Sequence, residues 1–276
     1  MPDVTARRAA FRALHERGCF VMPNAWDVGT ARALERLGFV ALATTSAGFA
    51  FSRGLPDALG VLDVESVLAH VGEIVAGTGL PVNADFQAGY APDAAGVAAN
   101  VRRCVELGVA GLSLEDAVSA DGLLDLPDAL ERVRAARAVI DGTGAEVLLT
   151  ARAECFLVGH PEPLAESVRR LRAYAEAGAD VLFAPGVREP AEIQAIVDAV
   201  HPRPVNVLMS SDTGLRADDL AALGVRRVSV GSALARVAWR AFLGAAERIA
   251  VGDFGGLGAA APFAELNALL ARSPAG

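Results

Sequence analysis

The stretch VNADFQAGY, residues 82–90, decides the fold of this chain. It begins as a short buried strand, which ends at Asp85, and continues as a polar loop that contains a glycine. A carboxylate at the end of a buried strand is costly unless a cation or hydrogen-bond donors face it. Two further strands end in charged residues, since GLSLED contains Glu115 and EVLLTARAEC contains Arg152. If the three strands lie side by side, their charged ends meet at one point.

A helix-to-strand joint recurs on both sides of this stretch and indicates the architecture. It consists of a helix, a Leu-Gly or Ala-Gly pair and an apolar strand, and it begins at Leu37, Leu107, Ala177 and Leu223. In each joint the glycine ends the helix in a left-handed conformation, and the chain then turns into the strand. Three related joints and the segment CFVMPNAWD complete a set of eight predicted strands. These are residues 19–23, 40–44, 82–85, 111–115, 147–150, 181–184, 205–208 and 228–230.

The segments between these strands have the spacing of amphipathic helices. Apolar residues recur at helical intervals in residues 64–75 and 97–105, for example. Short strands without polar alternation indicate a parallel sheet that is covered on both faces. Eight βα units in roughly 250 residues are typical of an α/β protein with a (β/α)8 fold, the TIM barrel. A doubly wound open sheet is the alternative, although no glycine fingerprint opens the first βα turn.

The alternation of strand and helix is uninterrupted, which bears on domain organisation. Residues 1–276 are therefore predicted to form a single barrel domain. Residues 251–276 are predicted to be a C-terminal helical extension, because a Gly- and Ala-rich hinge precedes one more amphipathic helix. Such an extension is suited to packing on a neighbouring subunit. Asp27, Asp63 and Asp93 precede helical segments and are predicted to cap them.

Composition and charge argue against several classes of partner. The chain has a formal net charge of −8 and no basic patch, which argues against nucleic-acid binding. No run of about 18 apolar residues is present to cross a membrane, and the charged N-terminal helix does not resemble a signal peptide. Cys19, Cys104 and Cys155 lack metal-ligand spacing, which indicates buried thiols in a reducing compartment. A cytoplasmic protein without nucleic-acid or membrane partners is predicted.

The predicted strand ends carry oxygen donors rather than histidines. Asp85 and Glu115 suit a hard cation such as Mg²⁺, with Mn²⁺ as its substitute. The four histidines fall in helices or loops, which argues against a catalytic zinc site. Arg152 could bind a substrate carboxylate or phosphonate through two hydrogen bonds, with Glu154 orienting it. The role of Asp116 stays open: it could cap the loop, form a salt bridge or belong to the site.

Four motifs, in this order, resemble the isocitrate lyase/phosphoenolpyruvate mutase superfamily. They are NAWDVGTARALERLGFVALATTSAGFAFSRGLPD, NADFQAGY, GVAGLSLED and TARAE, and the resemblance extends from about Asn24 to Ala235. It implies a (β/α)8 barrel whose last helix is swapped between the subunits of a homodimer or homotetramer. It also implies Mg²⁺-dependent cleavage or rearrangement of a C–C or P–C bond in a small 2-oxo or 2-hydroxy carboxylate. The implied intermediate is of the enolate type, held by the metal and by an arginine.

The resemblance also implies roles for individual residues. A loop of small residues after the second strand would bind the substrate carboxylate, and acidic residues near the third and fourth strands would form the metal site. The matching residues are Ser46, Ala47 and Gly48 for the carboxylate, Arg152 and Asn206 for other parts of the substrate, and Asp57, Asp85 and Glu115 for the metal.

Two departures from the family pattern bear on the reaction. Gln87 stands where the family carries a second acid, and an amide there could hold a metal-bound water with one negative charge fewer. The lid after the fourth strand, EDAVSADGLLDLPDAL, lacks the Lys-Lys-Cys-Gly-His motif of the lyases and the lysine and Asn-Ser pair of the mutases. Its hydroxyl, Ser119, lies beside Asp121 and is nearer to the hydrolase branch. Ser119 is therefore the candidate catalytic residue of the lid, with a solvated acidic loop as the alternative.

The sequence as a whole predicts a Mg²⁺-dependent lyase of this superfamily, with phosphonomutase and hydrolase activities as variants. In this hypothesis Asp85 and Glu115 hold the metal, directly or through water, and Arg152 stabilises the enolate. The alternatives are an oxaloacetate or phosphonopyruvate hydrolase, a carboxylate-binding barrel without catalysis and a metal-dependent aldolase-like barrel. Gln87 and the lid favour the non-catalytic barrel, whereas the joint presence of Asp57 and the three charged strand-end residues favours an enzyme.

Overall fold

Parallel strands form the inner wall of the molecule. The structure is a computed structural model that describes residues 3–120 and 122–271. The strands are β1 Phe20–Met22, β2 Asn24–Ala25, β3 Leu42–Thr44, β4 Val82–Asp85, β5 Gly111–Glu115, β6 Ala117–Ser119, β7 Gly122–Leu123, β8 Leu148–Arg152, β9 Val181–Phe183, β10 Val205–Leu208 and β11 Arg227–Ser229. The main sheet has the order β1-β11-β10-β9-β8-β5-β4-β3-β2, whereas β6 and β7 form a separate antiparallel hairpin.

The first barrel strand is split into β1 and β2 by Pro23, which has no N–H to donate to the ladder. Because β1 pairs with β11 and β2 pairs with β3, the split strand closes the sheet into a barrel. Asn24 joins the first and last strands at this closure, which we call the seam. Its Nδ2 donates to the Thr44 carbonyl at 2.7 Å, and its Oδ1 accepts from the N–H groups of Val230 at 3.1 Å and Gly231 at 2.8 Å.

Helices cover the outside of the barrel and connect its strands. They are α1 Val4–Leu14, α2 Val28–Arg36, α3 Ser46–Ser52, α4 Val64–Gly77, α5 Ala94–Glu106, α6 Leu126–Gly142, α7 Pro163–Glu176, α8 Pro190–Val200, α9 Ala217–Ala222, α10 Ala233–Ala250 and α11 Phe263–Leu270. The predicted caps Asp27, Asp63 and Asp93 are confirmed, since each side chain accepts a backbone N–H in the first turn of α2, α4 or α5. Within the described ranges, no helix is both long and apolar enough to cross a lipid bilayer.

The predicted strands are all present, and the (β/α)8 barrel is confirmed over the open sheet. Small shifts occur at the strand ends. The second barrel strand begins at Leu42 rather than at residue 40, and the fifth continues past residue 150 to Arg152. It continues because Arg152 is paired on both sides, with Glu115 of β5 and with Phe183 of β9. This register brings Glu115 and Arg152 next to each other at the carboxyl edge.

Side chains inside the barrel form three layers along its axis. Residues two positions apart on a strand occupy successive layers, because alternate side chains point the same way. The lowest layer is apolar and includes Phe11, Phe20, Leu148 and Val181. The middle layer is polar and buried, and consists of Asn83, Ser113, Thr150, Asn206 and Arg227. The upper layer is charged and consists of Asp85, Glu115 and Arg152.

The C-terminal segment packs near α2 and presents an apolar surface. A 3₁₀ turn, Gly255–Ala259, follows α10 and leads to α11. Arg36 of α2 donates a hydrogen bond to the carbonyl of Ala271. The swap of the last helix between subunits stays a prediction, and residues 272–276 of the predicted extension lie outside the described ranges. Exposed apolar side chains on α10 and α11 include Val237, Trp239, Phe242, Leu243, Ile249, Phe263, Leu266 and Leu270.

Candidate active site

A cavity of about 590 Å³ opens at the carboxyl ends of the strands, where (β/α)8 barrels carry their active sites. It brings together nearly all of the residues that the sequence predicted for the site. These lining residues are Ser46, Ala47, Asp57, Asp85, Gln87, Glu115, Ser119, Arg152 and Asn206. Gly48 lies apart from this lining, in α3. A Cβ there would come within 2.9 Å of the Trp26 Cβ, so Gly48 permits close packing of α3.

Arg152 is the centre of the charged layer. Its Nη1 lies 3.0 Å from Asp85 Oδ1 and 3.2 Å from Glu115 Oε2, and its Nε lies 2.7 Å from Glu154 Oε1. The guanidinium also stands over the ring of Phe183, 5.3 Å from its centroid. Burial alone would lower the pKa of Arg152, but the three carboxylates outweigh it and raise the pKa. The predicted orienting role of Glu154 fits this geometry.

Negative charge exceeds positive charge around Arg152. Burial, reinforced by Glu154 and Asp85 and opposed by Arg152, raises the pKa of Glu115 to about 8. Burial also raises the pKa of Glu154, although its salt bridge with Arg152 opposes this shift. At the exposed mouth, partial desolvation and the charge of Asp85 raise the pKa of Asp57. A single guanidinium therefore leaves these carboxylates short of compensating charge.

Asp85 is held by donors on both of its oxygens. Its Oδ2 accepts from the Ser46 backbone N–H and from the Ser46 hydroxyl, each at 2.8 Å, while its Oδ1 faces Arg152. Its own N–H donates to Thr44 Oγ1 at 2.9 Å. The Ser46 loop, which the resemblance assigns to a substrate carboxylate, thus already binds a carboxylate of the protein itself.

Asp116 belongs to a support behind the cavity. Its Oδ1 accepts the backbone N–H of Glu154 at 2.9 Å, and its Oδ2 accepts from the Tyr174 hydroxyl at 2.6 Å and from Arg170 at 3.0 Å. Asp116 is buried, and the salt-bridge interpretation is the one that the structure confirms. Tyr174 and Arg170 lie on α7, and nothing in the strand-end pattern pointed to them. Through Glu154, this support fixes the orientation of Arg152.

The two departures from the family pattern both line the cavity. Gln87 is buried and has a left-handed backbone with φ of 40°. Its backbone carbonyl accepts the Glu115 N–H at 2.9 Å. The lid folds as the β6–β7 hairpin, in which Ser119 is exposed at the cavity mouth. Asp121, noted beside it in the sequence, lies outside the described residues.

The donors of the upper layer suit a hard cation rather than a soft one. In the described part of the chain, no three acidic, His or Cys side chains form a cluster ready to ligate one ion, because Arg152 stands between Asp85 and Glu115. Mg²⁺ nonetheless needs only one or two carboxylates and keeps several waters. The uncompensated negative charge and the raised pKa values of Glu115 and Asp57 are relieved by a bound cation. The residues therefore fit Mg²⁺.

Asn206 lies deeper, in the polar layer, and both ends of its amide are bound. Its Nδ2 donates to Ser229 Oγ at 2.9 Å, and its Oδ1 accepts from Arg227 Nε at 2.8 Å. The sequence interpretation overlooked Arg227, because this residue lies one position before the predicted last strand. Arg227 lies opposite Asn206 in the ladder between β10 and β11, so its side chain points into the barrel, as that of Asn206 does.

Comparisons with known proteins agree with this geometry. A model of the family described as phosphoenolpyruvate phosphomutase matches residues 11–250. A solved Burkholderia cenocepacia structure, provisionally assigned as a lyase/mutase, is 45% identical with a TM-score of 0.92, over 98% of this chain and 97% of that one. The 2-methylisocitrate lyase of Salmonella typhimurium is 30% identical over 87% of this chain and 82% of its own length. A phosphonopyruvate hydrolase solved with oxalate and Mg²⁺ is 26% identical with a TM-score of 0.83, over 95% of this chain and 94% of that one.

Proposed function

Because the chain belongs to the phosphoenolpyruvate phosphomutase family of the isocitrate lyase/phosphoenolpyruvate mutase superfamily, we propose that it is a Mg²⁺-dependent lyase. Its substrate is a small 2-oxo or 2-hydroxy carboxylate, in which it cleaves or rearranges a C–C or P–C bond. The observation that carries this proposal is the upper layer of the cavity, where Arg152 stands among Asp85, Glu115 and Glu154 within 3.2 Å.

Arg152 is the residue that contacts the substrate in this proposal. Its Nη1 and Nε are bound by carboxylates, whereas no described residue accepts a hydrogen bond from its Nη2. The Nη2 group is thus available to a carboxylate or to an enolate oxygen of the ligand. Because the guanidinium is held from three sides, it needs no reorganisation when charge develops there, which is the condition for strong electrostatic catalysis.

The metal would be held by Asp85, with Glu115 as a ligand directly or through water. Asp57 and Gln87 line the same cavity and would bind its water ligands. Bound Mg²⁺ supplies Lewis-acid stabilisation of an oxyanion. The backbone amides of Ser46 and Ala47 would bind the carboxylate of the substrate beside this metal position. When Ser46 binds that carboxylate, it releases Asp85.

A hydrolase that acts on oxaloacetate or phosphonopyruvate is the second candidate. The observation that favours it is the lid, which presents the hydroxyl of Ser119 at the mouth of the cavity rather than a cysteine or lysine. A lid hydroxyl can orient a water molecule but is a poor proton donor on its own. Product analysis separates the candidates, since a hydrolase incorporates one oxygen from ¹⁸O-water into its product.

The enzyme assignment is tested by turnover of oxaloacetate, phosphonopyruvate and 2-methylisocitrate with Mg²⁺ present. The expected result is Mg²⁺-dependent turnover of one of these acids, which falls by about 10³-fold in kcat/KM in Arg152→Met. Arg103→Met is the matched control, because Arg103 is an exposed arginine in a surface ion pair with Glu65. Binding of the acids with Mg²⁺ but no turnover of any would favour the non-catalytic barrel.

The apolar surface of α10 and α11 supports a homo-oligomer, a dimer or tetramer in which the last helix is swapped. Phe242 and Phe263 are 60% and 88% exposed in the single chain, which leaves large aromatic surface uncovered. Sedimentation of the full chain is expected to give a dimer or larger species. Phe242→Asp is expected to shift it toward the monomer, and a monomeric wild-type chain would contradict the proposal.

A further inference from the structure

We propose that the floor of the cavity is an anion-binding subsite, in which Arg227 and Ser229 bind a small carboxylate-sized anion. The substrate class that fits it carries a second negative group, as a dicarboxylate does. This substrate assignment rests on the proposed function, whereas the anion subsite itself does not.

Arg227 is a buried cation with only neutral partners. Its side chain is 1% exposed. Its Nε donates to Asn206 Oδ1 at 2.8 Å, its Nη2 donates to Thr150 Oγ1 at 3.1 Å, and its Nη1 lies 3.3 Å from His15 Nε2. His15 Nδ1 lies 2.8 Å from the Phe11 carbonyl, which makes it the donor there and leaves Nε2 as the acceptor for Arg227.

The other arginines of comparable burial in the described residues have carboxylate partners. Arg152 faces three of them, and Arg170 is bound by Asp116 at 3.0 Å and Glu166 at 2.6 Å. An isolated buried charge is expensive, and proteins pair such charges with counterions or ligands. Arg227 therefore lacks the kind of counterion that Arg152 and Arg170 have.

Donors remain on the floor after these contacts are made. A guanidinium has five N–H groups, and three of those on Arg227 have acceptors among the described residues. Ser229 Oγ accepts from Asn206, so its hydroxyl hydrogen is free to point at a ligand. Both residues line the cavity. The floor is thus polar, open to the cavity and incompletely satisfied.

The charge of the floor is positive at neutral pH. Burial lowers the pKa of Arg227 to about 9, and no carboxylate counteracts this shift, so the guanidinium remains protonated at pH 7. Burial, then the charge of Arg227, lowers the pKa of His15 to about 3, so this imidazole is neutral and adds no positive charge. A monovalent anion matches the single charge that is left.

The position of the floor relative to Arg152 sets the length of the ligand. Arg227 reaches Thr150, which precedes Arg152 by two residues on β8. Two residues of a strand span roughly 6.6 Å along its axis. A small dicarboxylate can place one carboxylate beside Arg152 and the other near the floor, whereas a monocarboxylate such as lactate reaches only one of them.

The test uses two 2-hydroxy acids that differ only in a distal carboxylate, lactate and malate. Their dissociation constants are measured by calorimetry with Mg²⁺ on the full chain, on Arg227→Met, on the charge-preserving Arg227→Lys and on the surface control Arg103→Met. Wild-type crystals soaked in sodium bromide give a second readout, because the anomalous signal of bromide locates an anion directly. The wild-type measurements need no substitution, so a poorly folded Arg227→Met does not block the test.

The expected result is that malate binds at least about tenfold more tightly than lactate, since it gains one charge-assisted contact. This ratio falls to about one in Arg227→Met, is largely kept in Arg227→Lys and is unchanged in Arg103→Met. Bromide within hydrogen-bond distance of Arg227 supports the subsite for a free anion, even if the two acids bind equally. Loss of the malate preference in Arg227→Met without bromide supports it for a substrate carboxylate.

Two outcomes count against parts of the proposal separately. Equal binding of both acids in the wild-type chain, with no bromide at Arg227, overturns the subsite and leaves the proposed function standing. If neither acid binds with Mg²⁺, the turnover assay alone decides the proposed function, and the bromide crystals alone decide whether the floor binds an anion.

Discussion

Arg152 and Arg227 are buried in the same barrel, on neighbouring layers, and their surroundings are opposite. Arg152 has three carboxylates within 3.2 Å, whereas Arg227 has an amide, a hydroxyl and an imidazole. The pKa of the first is raised by its carboxylates, and the pKa of the second is lowered by burial. The contrast teaches that the partners of a buried guanidinium, rather than its burial, indicate what a site attracts. We therefore expect the upper layer to attract a cation and the floor to attract an anion.

The largest effect is expected from removing the paired arginine. Arg152→Met leaves buried carboxylates without their counterion, and breaking a buried pair in this way costs about 3–5 kcal/mol. We expect this loss in the free energy of unfolding by urea at pH 8 without Mg²⁺. Arg227→Met is expected to cost much less, because it removes a charge that no carboxylate compensates. If the two variants lost equal free energy of unfolding, the surroundings of the two arginines would not differ in the way described.

The pH dependence of stability sharpens the same contrast. Because the pKa of Glu115 is about 8 in the folded chain and 4.5 ordinarily, the folded state binds more protons between these values. Stability from this group is thus fully present below pH 4.5 and is lost as the pH rises to 8, by up to about 1.4 kcal/mol per pH unit. Glu115→Gln should remove this part of the slope in urea titrations without Mg²⁺. If the free energy of unfolding changed with pH in the wild-type chain as it does in Glu115→Gln, the raised pKa of Glu115 would be contradicted.

A smaller effect is expected from adding a negative charge at the proposed metal site. Gln87→Asp adds a carboxylate to the cavity lining, and Asp tolerates the left-handed backbone at this position. We expect Mg²⁺ to bind about tenfold more tightly, measured by calorimetry, because affinity for hard cations rises with ligand charge. Gln87→Asn is the control without added charge. Equal affinities in the two variants would place Gln87 outside the metal's reach.

The smallest effect is expected from the support behind Arg152. Tyr174→Phe removes the 2.6 Å hydrogen bond to Asp116, which contributes about 1 kcal/mol to stability. Since Asp116 fixes Glu154 and Glu154 orients Arg152, kcat should fall by a few-fold while KM changes little. Phe183→Leu is a useful comparison, because it removes the ring over which the Arg152 guanidinium stands. An unchanged kcat in Tyr174→Phe would mean that Arg152 does not depend on this support.

The charged layer could be predicted from the sequence because strand ends are local features. An apolar strand that ends at Asp85, Glu115 or Arg152 places that residue at the carboxyl edge once the barrel is assumed. Arg227 could not be found this way, since it is the first residue of β11 and not the residue at its carboxyl end.

The support and the Ser46 contact were missed for a different reason. Tyr174 and Arg170 meet Asp116 only because α7 packs behind the sheet, and the pairing spans more than fifty residues. Likewise, the sequence identified the Ser46 loop and Asp85 separately, but it held no sign that the loop's donors bind this carboxylate. Such contacts depend on tertiary packing, which periodicity does not report.

The seam at Asn24 has a consequence for the order in which the chain is made. Asn24 binds the N–H groups of Val230 and Gly231, and β1 pairs with β11, so partners more than 200 residues apart complete the first strand. During synthesis the ribosome releases the N-terminal strand long before its last neighbour exists. The early chain therefore waits with an unpaired strand edge, and the barrel closes only near the end of translation.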